Sequence, residues 1–366
     1  MKKLFIHLGF LKTGSSAIQV FLSRNRNLLA SNGYLYPESM LHEQIHNDLW
    51  PYYYKNMGLT DITQKSVFEY YIKLFKNAQQ DTMILSSEVL TLASTESTYA
   101  DLTSEFDTYY IIYVRCPIQF AQSLIISNLK SYHVDRAYHG TRLLSTAQCT
   151  EHIQYQLNTI NHFFSNNIPF SKNLIIRSYD IARLAGSIVK DFCDIINIKY
   201  DKYDDLKKDV NPTLSLDCAY FLAHCSMLPI KQKDMLNIIH DLDNISLDKT
   251  RSHRYRLFSR EQIHNIPQNT IEEYEKLGVK IGDKHFWSRG LQQYLDMEQC
   301  PWQQLPSDLQ DEIFELLSPQ SQNIITQVWP RKYTYPGLLI NSGFLPDIPA
   351  DEKTAYLMRR WIMALK

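Results

Sequence analysis

The stretch from His7 to Gln19 constrains the fold of this chain more than any other part of its sequence. A short apolar run, Leu4-Phe5-Ile6, precedes a loop with two glycines, one lysine and three hydroxyl residues, and an amphipathic helical pattern follows it. A strand–loop–helix pattern of this kind is typical of an anion site, because the N–H groups and the dipole at a helix start favour negative charge. The glycines allow a ligand to approach the backbone closely, and Lys12 adds a positive charge.

The order of residues in this loop differs from that of the nucleotide P-loop. The P-loop, G-x-x-x-x-G-K-[ST], has its lysine after the second glycine. Here Lys12 precedes Gly14, in the order Gly9-x-x-Lys12-Thr13-Gly14-Ser15-Ser16. The pattern therefore indicates an anion at a helix start, while a nucleotide-dependent kinase or NTPase stays open as an alternative.

The distribution of charge favours a small anionic ligand over a polyanion. The 366 residues are 44% hydrophobic and 21% charged, and a net charge of −1 gives no overall field for nucleic acid or a membrane surface. Five Lys or Arg residues and no acidic residue lie between Met1 and Pro37. A second basic segment follows, from Arg115 to Arg142.

The spacing of the cysteines and the hydropathy of the sequence indicate the cellular compartment of the protein. The six cysteines form no C-x-x-C pair, so they predict free thiols and neither a zinc site nor a dithiol redox site. No apolar run approaches the length of a membrane span, and the chain start leads directly into the glycine loop without the pattern of a signal peptide. We expect a cytoplasmic protein without an integral membrane segment or a nucleic-acid partner.

Alternation of short apolar runs with helical patterns predicts an α/β fold with a parallel sheet. Strands are expected near residues 3–8, 82–86, 109–114 and 173–177, and helices near 65–79, 117–130 and 150–166. The first helix is expected to start with Ser15 or Ser16 as its cap and to end at Gly33. Ligands of such sheets bind at the carboxyl ends of the strands, which places Lys12, residues 86–88, Arg115 and Arg177 at one edge.

Beyond about residue 205 the pattern becomes mostly helical. One helix is expected after Asn211-Pro212-Thr213, with an apolar face of Leu214, Cys218, Phe221 and Leu222, and another from Ser259 to about Leu277. Further helices are expected near 306–317 and 351–364.

A second group of polar residues follows the third predicted strand. Arg115 ends this strand, Pro117 suits the first turn of a helix, and Ser123 lies about two turns into that helix. An arginine fork and a serine hydroxyl together suit a phosphate, because both donate hydrogen bonds to its oxygens. The alternative is an arginine at a strand end and an unrelated serine on a helix surface.

These motifs together resemble the sulfotransferases that use 3′-phosphoadenosine 5′-phosphosulfate (PAPS), and in particular the bacterial, carbohydrate-type branch. The lysine loop with its continuation Ser16-Ala17-Ile18-Gln19 resembles the 5′-phosphosulfate loop of that family, and Arg115 with Ser123 resembles its 3′-phosphate motif. Weaker similarities lie at residues 84–88, 174–180, 189–192 and 211–215. The resemblance spans about residues 3–215 and implies a P-loop-like parallel sheet flanked by helices.

The resemblance implies in-line transfer of a sulfuryl group from PAPS to a hydroxyl or amine of a glycan acceptor, such as a bacterial surface or capsular glycan. Lys12 would stabilise the leaving phosphate, and no metal would be needed, because lysine and arginine supply the positive charge. The residues implied in PAPS binding are Gly9, Lys12, Thr13, Gly14, Ser15, Ser16, Arg115 and Ser123.

Two residues are candidates for the base that takes the proton of the acceptor. Glu88 ends a predicted strand beside the lysine loop, and His46 follows the first helix. The alternatives are a cap or ion-pair role for Glu88 and a loop role for His46. His133 and His139 are weaker candidates, and a metal pair of His42 with His46 has no third ligand in the sequence.

Two further expectations concern function and domains. A non-catalytic, sulfotransferase-like binding subunit is a third functional alternative. We expect a sulfotransferase domain over residues 1–295, with an α/β core over about 1–205 and a helical part over 206–295, followed by a helical extension over 296–366. The oligomeric state stays open.

Overall fold

The structure is a computed structural model that describes several separate segments of the chain. The described residues are 1–39, 45–49, 62–88, 100–130, 173–180, 186–200, 214–226, 228, 230–246, 255–280, 283–300 and 305–328. Their contacts divide the chain into two compact units. The first contains the described residues within 1–117, 155–211 and 269–287, and the second those within 118–154, 212–268 and 288–366.

A five-stranded sheet, parallel at every pairing, forms the centre of the first unit. Its order is β2-β3-β1-β4-β5. The strands are β1 (Lys3–Leu8), β2 (Tyr34–Leu35), β3 (Thr82–Ser87), β4 (Asp107–Val114) and β5 (Leu174–Ser178). The predicted α/β fold is thereby confirmed, and the four predicted strands agree with the structure to within two residues. The short β2 is not among the four predicted strands.

The helices that accompany the sheet begin with two short ones after the glycine loop. Asn25 separates them, and its backbone N–H and its Nδ2 both donate to the Phe21 carbonyl, at 3.1 and 3.0 Å. The expected single helix up to Gly33 is therefore wrong. The helices described up to residue 200 are α1 (Ser15–Arg24), α2 (Arg26–Ser31), α3 (Gln64–Asn77), α4 (Ala100–Thr103), α5 (Pro117–Lys130) and α6 (Ile188–Ile195), of which α5 belongs to the second unit from Ile118 on.

The described residues from 214 to 328 are mostly helical, as predicted. Its helices are α7 (Leu216–Ser226), α8 (Gln232–Ser246), α9 (Arg260–His264), α10 (Gln268–Lys280), α11 (Phe286–Leu295), α12 (Ser307–Leu316) and α13 (Pro319–Val328). The predicted apolar face of α7 is buried. The single helix expected from Ser259 is instead divided into α9 and α10, because Pro267 cannot continue a helix hydrogen-bond ladder.

Some expectations fall outside the described residues, namely the helices near 150–166 and 351–364. The expected domain boundary between residues 295 and 296 stays a prediction. No helix among the described residues has the length and apolarity to cross a membrane. The cysteines described, Cys116, Cys193, Cys218, Cys225 and Cys300, are free thiols.

A buried apolar cluster holds α1 and α6 against one face of the sheet. Its side chains come mainly from β1, β3, β4 and the two helices, and their burial away from water stabilises this packing. The cluster includes Phe5, Ile18, Phe21, Leu22, Ile84, Ile111, Tyr113, Ile188, Val189 and Phe192.

Asp191 of α6 links this helix to two strands. Its carboxylate is 7% exposed and accepts a hydrogen bond of 2.8 Å from the Tyr113 hydroxyl of β4. It also forms an ion pair with the Arg177 guanidinium of β5, with Nη2 at 2.5 Å from Oδ1. Arg177, expected at the ligand-binding edge, is thus engaged in a link between a strand and a helix.

We expect Asp191→Ala to lower the free energy of unfolding by about 1–3 kcal/mol, because the buried Tyr113 hydroxyl loses its acceptor. Urea unfolding measures the change. Asp194→Ala, on the exposed side of the same helix, is the matched control and should change the stability by less than about 0.5 kcal/mol. Equal losses in the two variants would contradict the role given to Asp191.

Candidate functional site

The glycine loop begins where β1 ends and is closed by hydrogen bonds to one carbonyl. The Gly9 N–H donates to the Ser87 carbonyl at 2.8 Å, so the loop leaves the sheet beside the end of β3. The hydroxyls of Thr13 and Ser15 donate to the Phe10 carbonyl at 2.6 and 2.9 Å. Both side chains are buried, so these two hydroxyls hold the shape of the loop.

The backbone of the loop is left-handed at two positions. Lys12 has φ 59° and Gly14 has φ 81°. For a residue with a side chain this conformation costs about 1–2 kcal/mol, and such strain concentrates at functional sites. Gly14, and neither Ser15 nor Ser16, is the N-cap of α1, and no side chain caps the helix. The expected serine cap is therefore wrong, and the first N–H groups of α1 have no partner within the helix.

Gly14 is required for space as well as for conformation. A Cβ at this position would lie 3.1 Å from Tyr179 Cε2 and 3.1 Å from Ile188 Cγ2. Tyr179, directly after β5, and Ile188, at the start of α6, therefore pack against the loop at Gly14. The sequence analysis did not single out Tyr179 as a site residue, although its position two residues after the strand predicted over 173–177 was a signal.

Glu88 lies directly beside the loop. A Cβ added at Gly9 would lie 3.1 Å from Glu88 Cγ and 3.2 Å from Ser15 Cβ, so glycine allows the carboxylate to approach the backbone. Burial raises the pKa of Glu88 above its ordinary value, and the nearby Lys12 charge lowers it in part. The structure thus brings Lys12 and Glu88 together, as the edge rule predicts.

Arg115 reaches the same loop from the end of β4. Its Nη1 donates to the Lys12 carbonyl at 3.4 Å, and its guanidinium lies 5.1 Å from the centre of the Tyr179 ring. Stacking on an aromatic face fixes the plane of the guanidinium, which suits the recognition of a phosphate. Two strand ends therefore place positive charge around one loop, through Lys12 after β1 and Arg115 after β4, and Tyr179 after β5 supplies the ring on which Arg115 stacks.

Ser123 lies in α5 and belongs to the second compact unit. Its side chain is 4% exposed, and its Oγ has no hydrogen-bond partner among the described residues. The proposed pairing of Ser123 with Arg115 stays a prediction.

His46 is fully buried, and both of its ring nitrogens have partners. Nδ1 accepts the Ser86 N–H at 3.0 Å, and Nε2 lies 3.0 Å from the Pro37 carbonyl, to which it donates. The rings of Tyr36 and Tyr71 pack edge-on against it. Burial lowers the pKa of His46 to about 4. His46 therefore has neither ring nitrogen free for a ligand, and its role as a base stays a prediction.

Three weaker histidine candidates, His42, His133 and His139, lie outside the described residues. Among the residues that the structure does describe, no group of three or more His, Cys, Asp or Glu side chains could hold a metal ion.

Comparisons with known proteins give a likeness among solved structures and no match by sequence. No protein-family model and no curated protein matches the sequence. Among solved structures, the chain is similar to the crystal structure of a sulfotransferase from Alicyclobacillus acidocaldarius, at 14% identity and a TM-score of 0.34, over 57% of this chain and 86% of the other.

We expect Gly14→Ala to destabilise the protein by more than Gly33→Ala. Both glycines are left-handed, but a Cβ at Gly33 would meet nothing within 4 Å, whereas one at Gly14 would meet Tyr179 and Ile188. The control should cost about 1–2 kcal/mol and Gly14→Ala more. Urea unfolding measures both losses, and equal losses would contradict the packing role of Gly14.

Replacement of Glu88 by glutamine should stabilise the protein increasingly as the pH rises. Because folding raises the pKa of Glu88 above 4.5, its proton favours the folded state, and this contribution is lost as the pH rises through the folded pKa. Glutamine does not titrate, so the variant does not lose stability in this way as the pH rises. Urea unfolding of Glu88→Gln and of the wild type between about pH 4 and pH 8 measures the difference. Glu69→Gln, on the exposed side of α3, corrects for the substitution itself, and a difference that falls with pH would contradict the assignment.

Proposed function

We propose that this protein is a sulfotransferase that moves a sulfuryl group from PAPS to a hydroxyl or amine of a carbohydrate acceptor, such as a bacterial surface or capsular glycan. The observation that carries the proposal is the position of Lys12, ahead of the helix-opening Gly14 and beside Glu88, in a loop that Arg115 also contacts. We place the reaction in the cytoplasm, in keeping with the pattern of unpaired cysteines.

The loop fits the sulfated end of such a donor. The first N–H groups of α1, at Ser15 and Ser16, have no intrahelical partner and suit the oxygens of a 5′-phosphate. Since the Thr13 and Ser15 hydroxyls already donate to Phe10, we assign the ligand to the backbone N–H groups of residues 13–16 and to the Ser16 hydroxyl. Gly9 and Gly14 let the loop pack closely, Gly9 against Glu88 and Gly14 against Tyr179 and Ile188.

We assign the 3′-phosphate to Arg115 and Ser123. The guanidinium of Arg115 is already oriented by Tyr179, so little of its freedom remains to be lost on binding. The buried Ser123 hydroxyl, without a partner among the described residues, is available as a further donor.

Lys12 and Glu88 would divide the chemistry between them. When bound, PAPS supplies a sulfuryl group whose bond to the bridging oxygen of the 5′-phosphate breaks as a bond to the acceptor oxygen or nitrogen forms. Lys12 offsets the negative charge that develops on the phosphate, and Glu88 takes the proton of the acceptor. A buried carboxyl with a raised pKa is a better base than an exposed one, as long as it is ionised at the working pH.

We expect Lys12→Ala to lower the turnover number by about 100- to 1,000-fold, because a charge aimed at the leaving group is lost. The assay follows label from sulfur-labelled PAPS into a panel of mono- and oligosaccharides. Binding of the product 3′-phosphoadenosine 5′-phosphate is measured by calorimetry and should weaken less than turnover. Lys73→Ala, on an exposed position of α3, is the matched control and should leave both unchanged.

Three outcomes would contradict the proposal. One is a wild-type protein that fails to bind 3′-phosphoadenosine 5′-phosphate, and a second is a Lys12→Ala variant with unchanged turnover. A third is magnesium-dependent hydrolysis of ATP, which would restore the kinase or NTPase alternative. Binding of the nucleotide without label in any acceptor would instead favour the non-catalytic binding subunit.

A further inference from the structure

The end of β3 is held by a short segment that is not a strand. Within the described residues, β2 pairs with β3 only at Thr82 and Met83, so the last residues of β3 have no strand on that side. Residues 45–49, which we name the 45–49 clasp, take this place. The His46 N–H donates to the Ser86 carbonyl at 2.8 Å, and the Ser86 N–H donates to His46 Nδ1 at 3.0 Å.

Asn47 of the clasp binds the backbone of Glu88. Its Oδ1 accepts the Glu88 N–H at 3.2 Å and the Ser87 hydroxyl at 3.0 Å. The side chain is 6% exposed. The last register pair of β1 with β3 is Leu8 with Ser87, so Glu88 lies one residue past the ladder and Asn47 supplies its acceptor. A buried N–H left without an acceptor would cost about 1–3 kcal/mol.

The clasp is itself anchored on its far side. The buried Asp48 carboxylate accepts the Tyr71 hydroxyl of α3, at 2.8 Å to Oδ2 and 3.1 Å to Oδ1. His46 Nε2 donates to the Pro37 carbonyl at 3.0 Å. Because α3 and the segment after β2 hold the clasp, Asn47 presents its amide oxygen from a fixed position.

We propose that Asn47 is a positioning residue for Glu88. Asn47 fixes the backbone at the first residue beyond β3, and this directs the Glu88 carboxylate to the surface of Gly9 and to Lys12. Asn47 does not touch the reacting atoms, and its whole effect on proton transfer passes through Glu88. This role rests on the proposed function, in which Glu88 is the base.

The test compares two ways of removing contacts of Asn47. Asn47→Ala removes the acceptor of the Glu88 N–H and should lower kcat about tenfold, as the loss of one part-buried hydrogen bond predicts. The KM for PAPS should change by less than about twofold, because the loop keeps its own bonds. Ser87→Ala removes only the hydroxyl that Asn47 accepts and is the matched control, with kcat within about twofold of wild type. Equal losses of kcat in the two variants would overturn the proposal.

A double-mutant cycle separates positioning from general support of the fold. In a Glu88→Gln background, Asn47→Ala should lower kcat by less than about twofold further, because the base through which it acts is already gone. Losses that multiply in full would overturn the proposal. Asn47→Asp keeps both acceptor contacts and should retain most of kcat. If Asn47→Ala does not fold, Asn47→Leu, which is similar in size and also lacks the acceptor, takes its place in the cycle.

A measurement without substrate keeps this inference distinct from the proposed function. The rise with pH in the stability difference between Glu88→Gln and wild type should shrink when Asn47→Ala is present in both proteins, since the carboxyl is then less confined. An unchanged rise would overturn the positioning role even in an active enzyme. A wild-type protein that binds no 3′-phosphoadenosine 5′-phosphate would overturn the proposed function, whatever the coupling between Asn47 and Glu88.

Discussion

The parallel pairing of β1 with β3 is the constraint on which the site depends. Leu8 lies opposite Ser87, and the next hydrogen bond, from Gly9 N–H to the Ser87 carbonyl, ends the ladder. The segments that follow β1 and β3 therefore leave the sheet at the same edge, one as the lysine loop and the other beginning with Glu88. A shift of one residue in this register would turn Glu88 to the opposite face, because side chains alternate along a strand.

In the candidate site, burial disfavours a negative charge and a nearby positive charge offsets part of that cost. The Glu88 carboxyl is largely buried, which disfavours its charged form, and the nearby Lys12 ammonium lowers this cost. Arg115 is held by Tyr179 and by the Lys12 carbonyl. The Asp191 carboxylate, in contrast, is satisfied by Tyr113 and Arg177 within the fold and has no charge to offer a ligand. Acidic and basic side chains thus stabilise the fold at Asp191 and Arg177, whereas Glu88 and Arg115 lie in the candidate site.

Much of the fold followed from the sequence because its signals are local. Apolar runs of strand length gave β1, β3, β4 and β5, and glycine with lysine marked the loop. The breaks at Asn25 and Pro267 were missed, since the apolar pattern continues across both positions. The serine cap was also wrong. The sequence offered two serines, but the left-handed backbone of Gly14 made it the cap and left Ser15 to bind Phe10.

The sequence by itself determined the parallel α/β fold and the position of Lys12, Glu88 and Arg115 at strand ends, because strand length and hydrophobic period are properties of short segments. Only the tertiary structure decided how the two candidate bases differ. His46 is enclosed by Tyr36 and Tyr71 with both nitrogens bonded, whereas Glu88 faces the loop. Burial and hydrogen bonding depend on residues far apart in the chain, and no pattern within a single segment contains them.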